Sequence, residues 1–265
     1  MKRGAWRTRL GFYLAAIGTA FGLGNLWRFP YVVGSHGGGA FVLIYVALAL
    51  VIGLSLLIAE LMIGRVTRQG VIGGIKKLGG GRVWTVFGGL SLTATIVALS
   101  YYAVISGWVL HFMSRFFVSF VLQSPFSVDT TLKILMDNGY LQMALTSVHL
   151  LIASVIVAKG VQEGLERWIG WMMPVFIVLM TTLLIQSLLL PSASEALQFL
   201  FYPDFSKLKA GSLVQAVGHV LFTLSLGFGT MVVFGSYLGE DTHIPSAGFR
   251  VAMLDTTLSL LAGLV

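Results

Sequence analysis

The residues of this chain with chemistry to offer gather in two apolar stretches that an unbroken helix would not choose. The first is Gly18-Thr19-Ala20-Phe21-Gly22-Leu23-Gly24-Asn25 and the second is Thr223-Leu224-Ser225-Leu226-Gly227-Phe228-Gly229. Each glycine weakens a helix interior by about 1 kcal/mol relative to alanine, so both stretches are places to unwind. Carbonyls freed at membrane depth are tolerated where they line a cavity or hold something, and a hard cation such as Na⁺ suits them. Half-helix N-termini in the same place would attract a carboxylate. Close packing through small residues explains either stretch taken alone. Two such stretches in separate spans favour a transport site.

Other chemistry is missing. There are no paired carboxylates and no Ser/His/Asp order with supporting context, and Leu78-Gly79-Gly80-Gly81 follows Lys77, whereas a phosphate loop needs its lysine after the glycines. His219 stands one turn before Thr223 on the same helical face, but no second histidine is spaced to share a metal with it. His36, His111, His149 and His243 read as loop or interface residues. An enzyme is disfavoured, and sodium is the only metal expected. Arg28 lies in an apolar setting, where a charge either marks function or snorkels to the interface.

These residues sit in a chain built for lipid. Of 265 residues 57% are hydrophobic and 10% charged, against about a quarter charged in soluble domains. Apolar runs near 9–34, 39–64, 84–120, 141–158, 166–190, 212–238 and 251–265 approach or exceed the roughly 20 residues of a bilayer crossing. They lack period-2 alternation, so helices are selected over a barrel and the fold class is an all-α membrane protein. We read 1–265 as a single transmembrane domain; the last run stops at Val265, from which a chain truncated at its C-terminus is expected. The start Met1-Lys2-Arg3-Gly4-Ala5-Trp6-Arg7-Thr8-Arg9 is charged like a signal peptide but has no small-residue cleavage pattern after it, so it reads as a retained first span.

Of the 17 Lys and Arg, 12 fall on one side: Lys2, Arg3, Arg7, Arg9, Arg65, Arg68, Lys76, Lys77, Arg82, Lys159, Arg167 and Arg250. The positive-inside rule then makes the N-terminus and the loops 65–83, 159–166 and 239–250 cytoplasmic, with 121–140 and 191–211 outside. Arg115, Lys133, Lys207 and Lys209 lie near or in the outer stretches and weaken the asymmetry without reversing it. The net charge of +7 is dispersed between spans, which argues against nucleic acid. The absence of cysteine excludes disulfides and thiolate sites.

Gly22-Leu23-Gly24-Asn25-Leu26-Trp27-Arg28-Phe29-Pro30, followed by Gly37-Gly38-Gly39-Ala40-Phe41, resembles the signature of the neurotransmitter:sodium symporter family. Tyr101-Tyr102, Phe201-Tyr202-Pro203-Asp204-Phe205 and Phe222 through Gly229 match it too, in order over nearly the whole chain. The rule linking paired broken spans to a binding site was itself framed on this family and adds no independent support. The resemblance implies a bacterial member of the leucine-transporter type: the first five-helix inverted repeat, a broken sixth helix and the start of the seventh.

It also implies roles by position. A first sodium site would use the Ala20 carbonyl, Asn25, Thr223 and Asp255, the last standing where the family more often has Asn. A second would begin with the carbonyls of Gly18 and Phe21. Substrate would meet the amides of Leu23 and Gly24, the Tyr102 hydroxyl and Ser225, with Ala98, Phe222 and Phe228 around its side chain. Gly22 stands where monoamine members carry Asp, which leaves room for a substrate carboxylate and favours an amino acid. The small Ala98 hints at an apolar or aromatic one. Arg28 becomes a gate residue at the outer end, and Arg3 with Trp6 one at the inner end. Glu60 is a candidate for a conformational network, or pairs with Arg65, or lies in the interface. Tyr45, His219 and Ser259 match the chloride site of chloride-dependent members, together with Thr223 and Asp255. Ser259 fits that pattern, whereas Asp255 supplies a fixed negative charge in its place. We therefore expect chloride-independent transport, with Asp255 ionised beside sodium or exchanging a proton on the return step; a neutral core acid is the other reading.

The expectation is a sodium-coupled symporter of an amino acid, working by alternating access in a bacterial inner membrane. This chain would be an incomplete, inactive part of it. Its partners would be the amino acid, sodium, the lipid bilayer, and a C-terminal half or a second copy. The alternative is a non-transporting membrane binding or assembly protein formed by a half-fold.

Overall fold

The computed structural model describes residues 5–22 and 24–265. Helices dominate them: α1 (Arg9–Ala20), α2 (Gly24–His36), α3 (Gly39–Thr67), α4 (Val71–Lys77), α5 (Arg82–Leu122), α6 (Val128–Asp137), α7 (Gly139–Ala158), α8 (Val161–Leu188), α9 (Ala193–Phe201), α10 (Ser212–Thr223), α11 (Thr230–Gly235) and α12 (Ile244–Leu264). Among the described residues no strand forms, and a single bridge joins Gly38 to Pro203. Five of the described helices are long and apolar enough to cross a membrane, or six if α1 and α2, bent by 48°, count as one span.

The chain divides into two compact units. The first comprises the residues up to Ser91 together with Val161–Val265. Its core holds Phe12, Ala15 and Ala16 of α1, Phe41, Tyr45, Leu57 and Leu61 of α3, Val220 of α10, Met231 of α11 and Val251 of α12. The second unit, Leu92–Gly160, packs the later part of α5 with α6 and α7. There the Trp108 indole donates to Gln142 Oε1 at 3.1 Å, and Ser106 Oγ meets His149 Nδ1 at 2.8 Å. His111 and His149 therefore lie within helices, a correction to their reading as loop residues.

Glycine shapes the first unit at two close approaches. Gly37 and Gly38 have φ of +109° and +59° and carry the chain from α2 into α3. A Cβ on Gly39 would stand 2.5 Å from the Tyr202 carbonyl oxygen, so the glycine run lets the segment after α9 lie against it. At the other end of α3, Gly64 packs on the Val232 carbonyl and Gly235 of α11 on the Leu61 carbonyl, backbone against backbone. The arginines of that end hold the segment after α11: Arg65 donates to the carbonyls of Glu240 and Thr242, and Arg68 to that of Leu238 at 2.5 Å.

The last helix begins at Ile244, seven residues before the expected start at 251. Pro245 suits a first helical turn, where its missing N–H costs nothing, and His243 Nδ1 accepts from Ser246 N at 3.3 Å. Arg250 had made this stretch look like loop. It reaches over the Tyr13 ring instead, 5.8 Å from the centroid, keeping its charge off the apolar face. Likewise α4, α6 and α9 form inside segments read only as loops.

Candidate functional site

Both glycine-bearing stretches are breaks. α1 ends at Ala20, and the helix resumes at Gly24 as a widened π turn, where the Gly22 carbonyl accepts from Asn25 N at 3.1 Å and Leu26 N at 3.2 Å. α10 ends at Thr223 and α11 starts at Thr230, with Ser225, Gly227 and Gly229 at φ of +52°, +81° and +76° between them. Ser225 takes a left-handed conformation that costs a non-glycine residue free energy. Its hydroxyl donates to the Thr19 carbonyl at 3.3 Å, tying one break to the other. A Cβ on Gly24 would press on the Phe222 ring at 2.9 Å, so the glycine lets that ring lie where it does.

Beside the breaks lies a buried polar cluster. Asn25, Asp255 and Ser259 are fully buried and Thr223 is 1% exposed. Asn25 Nδ2 donates to Asp255 Oδ1 at 2.9 Å and to Ser259 Oγ at 2.8 Å. Ser259 donates to the Asp255 carbonyl at 2.9 Å, and the Tyr45 hydroxyl stands 3.3 Å from Ser259 Oγ. Thr223 Oγ1 lies 2.8 Å from Asn25 Oδ1, 2.9 Å from Asp255 Oδ1 and 3.1 Å from Asp255 Oδ2. A threonine hydroxyl has one hydrogen to give. Oxygens this close without hydrogens enough need a further positive centre among them, a proton or a cation. The donor set is all hard oxygen, the kind a Na⁺ ion prefers.

Of the residues expected at the first sodium site, Asn25, Thr223 and Asp255 are thus in contact, and Ala20 is buried at the end of α1. Gly18 and Phe21 face α8: a Cβ on Gly18 would meet Met173 Sδ at 3.3 Å, and the Phe21 ring lies 5.0 Å from that of Phe176. Gly22 has nothing within 4 Å of a Cβ built on it, the room expected there. Phe222 and Phe228 meet edge to face at 6.4 Å, and the Arg28 guanidinium sits over the Phe222 ring at 5.3 Å. Trp6, expected at the inner gate, meets the end of α11 and the segment after it: its indole donates to the Phe234 carbonyl and its backbone N to that of Tyr237, both at 3.2 Å. Ala98 and Tyr102 lie on α5 in the second unit, where Tyr102 packs edge to face on Tyr101. Leu23 and Arg3 fall outside the described residues.

His219 is fully buried between the rings of Phe29 and Tyr45, at 5.4 and 5.2 Å, and neither of its nitrogens has a partner among the described residues. Glu60 forms no ion pair with Arg65, which corrects that reading; its Oε1 accepts from Gly227 N at 2.7 Å and so caps the second break. Glu166 went unremarked in the sequence, yet it is 8% exposed and accepts three hydrogen bonds from the start of α1. An acid beside the apolar run of α8 was the available signal.

The chain matches the model of the sodium:neurotransmitter symporter family over residues 3–130 and 118–265. It belongs to that family. An uncharacterised sodium-dependent transporter of Bacillus subtilis is 35% identical over 262 residues, 98% of this chain and 58% of the relative. A sodium-dependent transporter of Methanocaldococcus jannaschii is 32% identical over 99% of this chain and 55% of its own length. The mouse sodium-dependent neutral amino acid transporter B(0)AT2 is 32% identical over 100% of this chain and 40% of its own. Among solved structures, MhsT in complex with L-phenylalanine superposes with a TM-score of 0.88 at 38% identity, over 99% of this chain and 60% of that one. The chain thus spans between two fifths and three fifths of the length of these relatives. Its fold is that of an all-α membrane protein of the leucine-transporter type, and its family is one of transporters, not enzymes.

Proposed function

We propose that the protein carrying this chain couples the entry of an amino acid with an apolar or aromatic side chain to the sodium gradient, by alternating access. The observation that carries the reading is the buried Asn25–Thr223–Asp255 oxygen cluster at the crossing of two broken spans. It offers a hard cation a set of oxygens at the depth where a carboxylate can meet freed helix N-termini. The open space at Gly22 supports a substrate that brings its own carboxylate. The likeness to MhsT, solved with L-phenylalanine, supports the side-chain class, as does the small Ala98. Sodium bound at the cluster and a substrate carboxylate beside it would each lower the cost of the other, which is the coupling symport needs. The proposed first sodium site is Ala20, Asn25, Thr223 and Asp255; Gly18 and Phe21 begin the second. Leu23, Gly24, Tyr102 and Ser225 would hold the substrate's polar groups, with Ala98, Phe222 and Phe228 around its side chain. Arg28 and Trp6 would close the two ends, Arg3 joining Trp6.

The distribution of basic residues supports a Trp6 end on the cytoplasmic side of a bacterial inner membrane. Binding of labelled L-phenylalanine and of a panel of amino acids to the purified protein, in Na⁺ and in K⁺, tests the reading. Saturable binding only in Na⁺, strongest for large apolar side chains, is expected; binding indifferent to Na⁺, or confined to charged amino acids, would overturn it.

A further inference from the structure

α1 begins without the acid that usually holds a helix start. Thr8 is its N-cap, and the Thr8 hydroxyl accepts from Gly11 N at 2.9 Å. In a capping box the third helical residue is Glu or Gln and reaches back to the N-cap amide. Here that third residue is Gly11, and no acid stands in the first turn. The carboxylate arrives from another helix. Glu166, at the end of the π turn Val161–Glu166 that opens α8, accepts from Thr8 N at 2.9 Å, from the Thr8 hydroxyl at 2.9 Å and from Arg7 N at 2.8 Å. The glycine at position 11 makes room for it, because a Cβ there would collide with the Glu166 carboxylate. Gln162, one turn earlier, donates to the Ala5 carbonyl at 2.5 Å. Among the described residues the ion pairs are Arg9–Asp241 and Lys207–Asp204, and no described Lys or Arg pairs with Glu166.

We propose that Glu166 is a positioning residue: a capping acid supplied in trans that latches the half-helix α1 to the start of α8 and holds the Trp6 end closed. Its buried carboxylate satisfies donors at the helix start that have no partner within α1, and it complements the positive end of the α1 dipole. Hydrogen bonds to a charged group are about twice as strong as neutral ones, so the latch is the strongest polar link between these two elements. It also sits at a π turn, a rare feature frequent at functional sites. Release of the latch would weaken the hold on α1 without unravelling its start, because the hydrogen bond from Gly11 N to Thr8 stays within α1. The role in alternating access rests on the proposed symport, but the latch itself does not.

The sequence has no cysteine, so single introduced cysteines report without background. Ala16→Cys probes the buried side of α1, fully covered in this state, and Gly218→Cys probes the side facing Arg28, where a Cβ would lie 3.9 Å from Nη2. Labelling rates with a small polar maleimide are measured on the whole protein in membrane vesicles, with and without Glu166→Gln. The amide keeps the size but turns an NH₂ toward the donors. Labelling of Ala16→Cys is expected to rise about tenfold while that of Gly218→Cys falls, a shift toward opening at the Trp6 end. Thr8→Val removes one of the three bonds together with the cap on Gly11 N, whereas Thr8→Ser keeps both; a rise of about threefold for Thr8→Val and none for Thr8→Ser decides the matter if Glu166→Gln fails to fold. Unchanged rates, or both rates rising together as in general loosening, would overturn the latch. If the rates shift as expected while Na⁺ and amino acid leave the unmutated labelling pattern untouched, the latch stands and the symport reading fails.

Discussion

Asp255→Asn separates what the buried cluster does for the fold from what it does for a cation. In the fold the exchange is close to neutral. An amide oxygen at the Oδ1 position still accepts from Asn25 Nδ2 at 2.9 Å. An amide NH₂ at the Oδ2 position can donate to Thr223 Oγ1 at 3.1 Å, whose own hydrogen goes to Asn25 Oδ1 at 2.8 Å. Every contact survives, so stability should change by no more than about 1 kcal/mol, the net worth of one hydrogen bond. A cation loses more. A unit charge about 4 Å away contributes roughly 4 kcal/mol at an effective dielectric near 20. The amide dipole retains part of that, so Na⁺ affinity should fall between about tenfold and a thousandfold. The assay is the Na⁺ concentration giving half-maximal amino-acid binding, in gluconate medium with no chloride, alongside the thermal midpoint. Restored chloride should recover part of the loss in the variant and do nothing for the unmutated protein, since an added anion would crowd Asp255. Na⁺ dependence unchanged within threefold in gluconate, or a variant that fails to fold, would refute this account of the cluster.

Gly22→Asp should fit sterically, since nothing lies within 4 Å of a Cβ there, yet abolish amino-acid binding by setting a carboxylate against the substrate's own; persistence of binding within a few-fold would remove the carboxylate from that place. Gly64→Ala should destabilise by about 1–3 kcal/mol, because the new methyl meets the Val232 carbonyl and, at 2.8 Å, Ser236 N, backbone atoms that cannot step aside. Gly34→Ala on α2 is the control: with nothing within 4 Å it should be neutral or stabilising by up to about 1 kcal/mol, and equal thermal midpoints for the two would refute the close approach of α3 and α11. Thr223→Val keeps the shape but removes the hydroxyl, and should raise the half-saturating Na⁺ concentration about tenfold or more with little change in substrate class.

The sequence announced its two breaks because glycine has few other reasons to recur within an apolar span, and both Gly22–Gly24 and Gly227–Gly229 fall where helices end. Asn25, Thr223 and Asp255 were legible only through the resemblance, since 198 and 32 positions separate the bonded pairs and no local pattern encodes such contacts. The start of α12 was misplaced for the opposite reason: Arg250 lowers local hydropathy, whereas the cap at His243 and Pro245 decides the boundary. Glu166 escaped notice, and the partner of Glu60 was not legible, because both accept from backbone N–H groups of distant segments, which leave no mark on residue type. Gly11 carried a hint, a glycine at the capping-box position, that has meaning only once the acid across from it is known.

Uptake driven by an imposed gradient tests whether the protein carrying this chain couples sodium to an amino acid. Proteoliposomes holding the whole protein, loaded with K⁺ and diluted into Na⁺, should concentrate labelled L-phenylalanine transiently above its external level. Replacing external Na⁺ by K⁺ should abolish this, and Asp255→Asn in gluconate should largely remove it. Accumulation that persists without a sodium gradient, or equilibration that never exceeds the external concentration, would contradict the account.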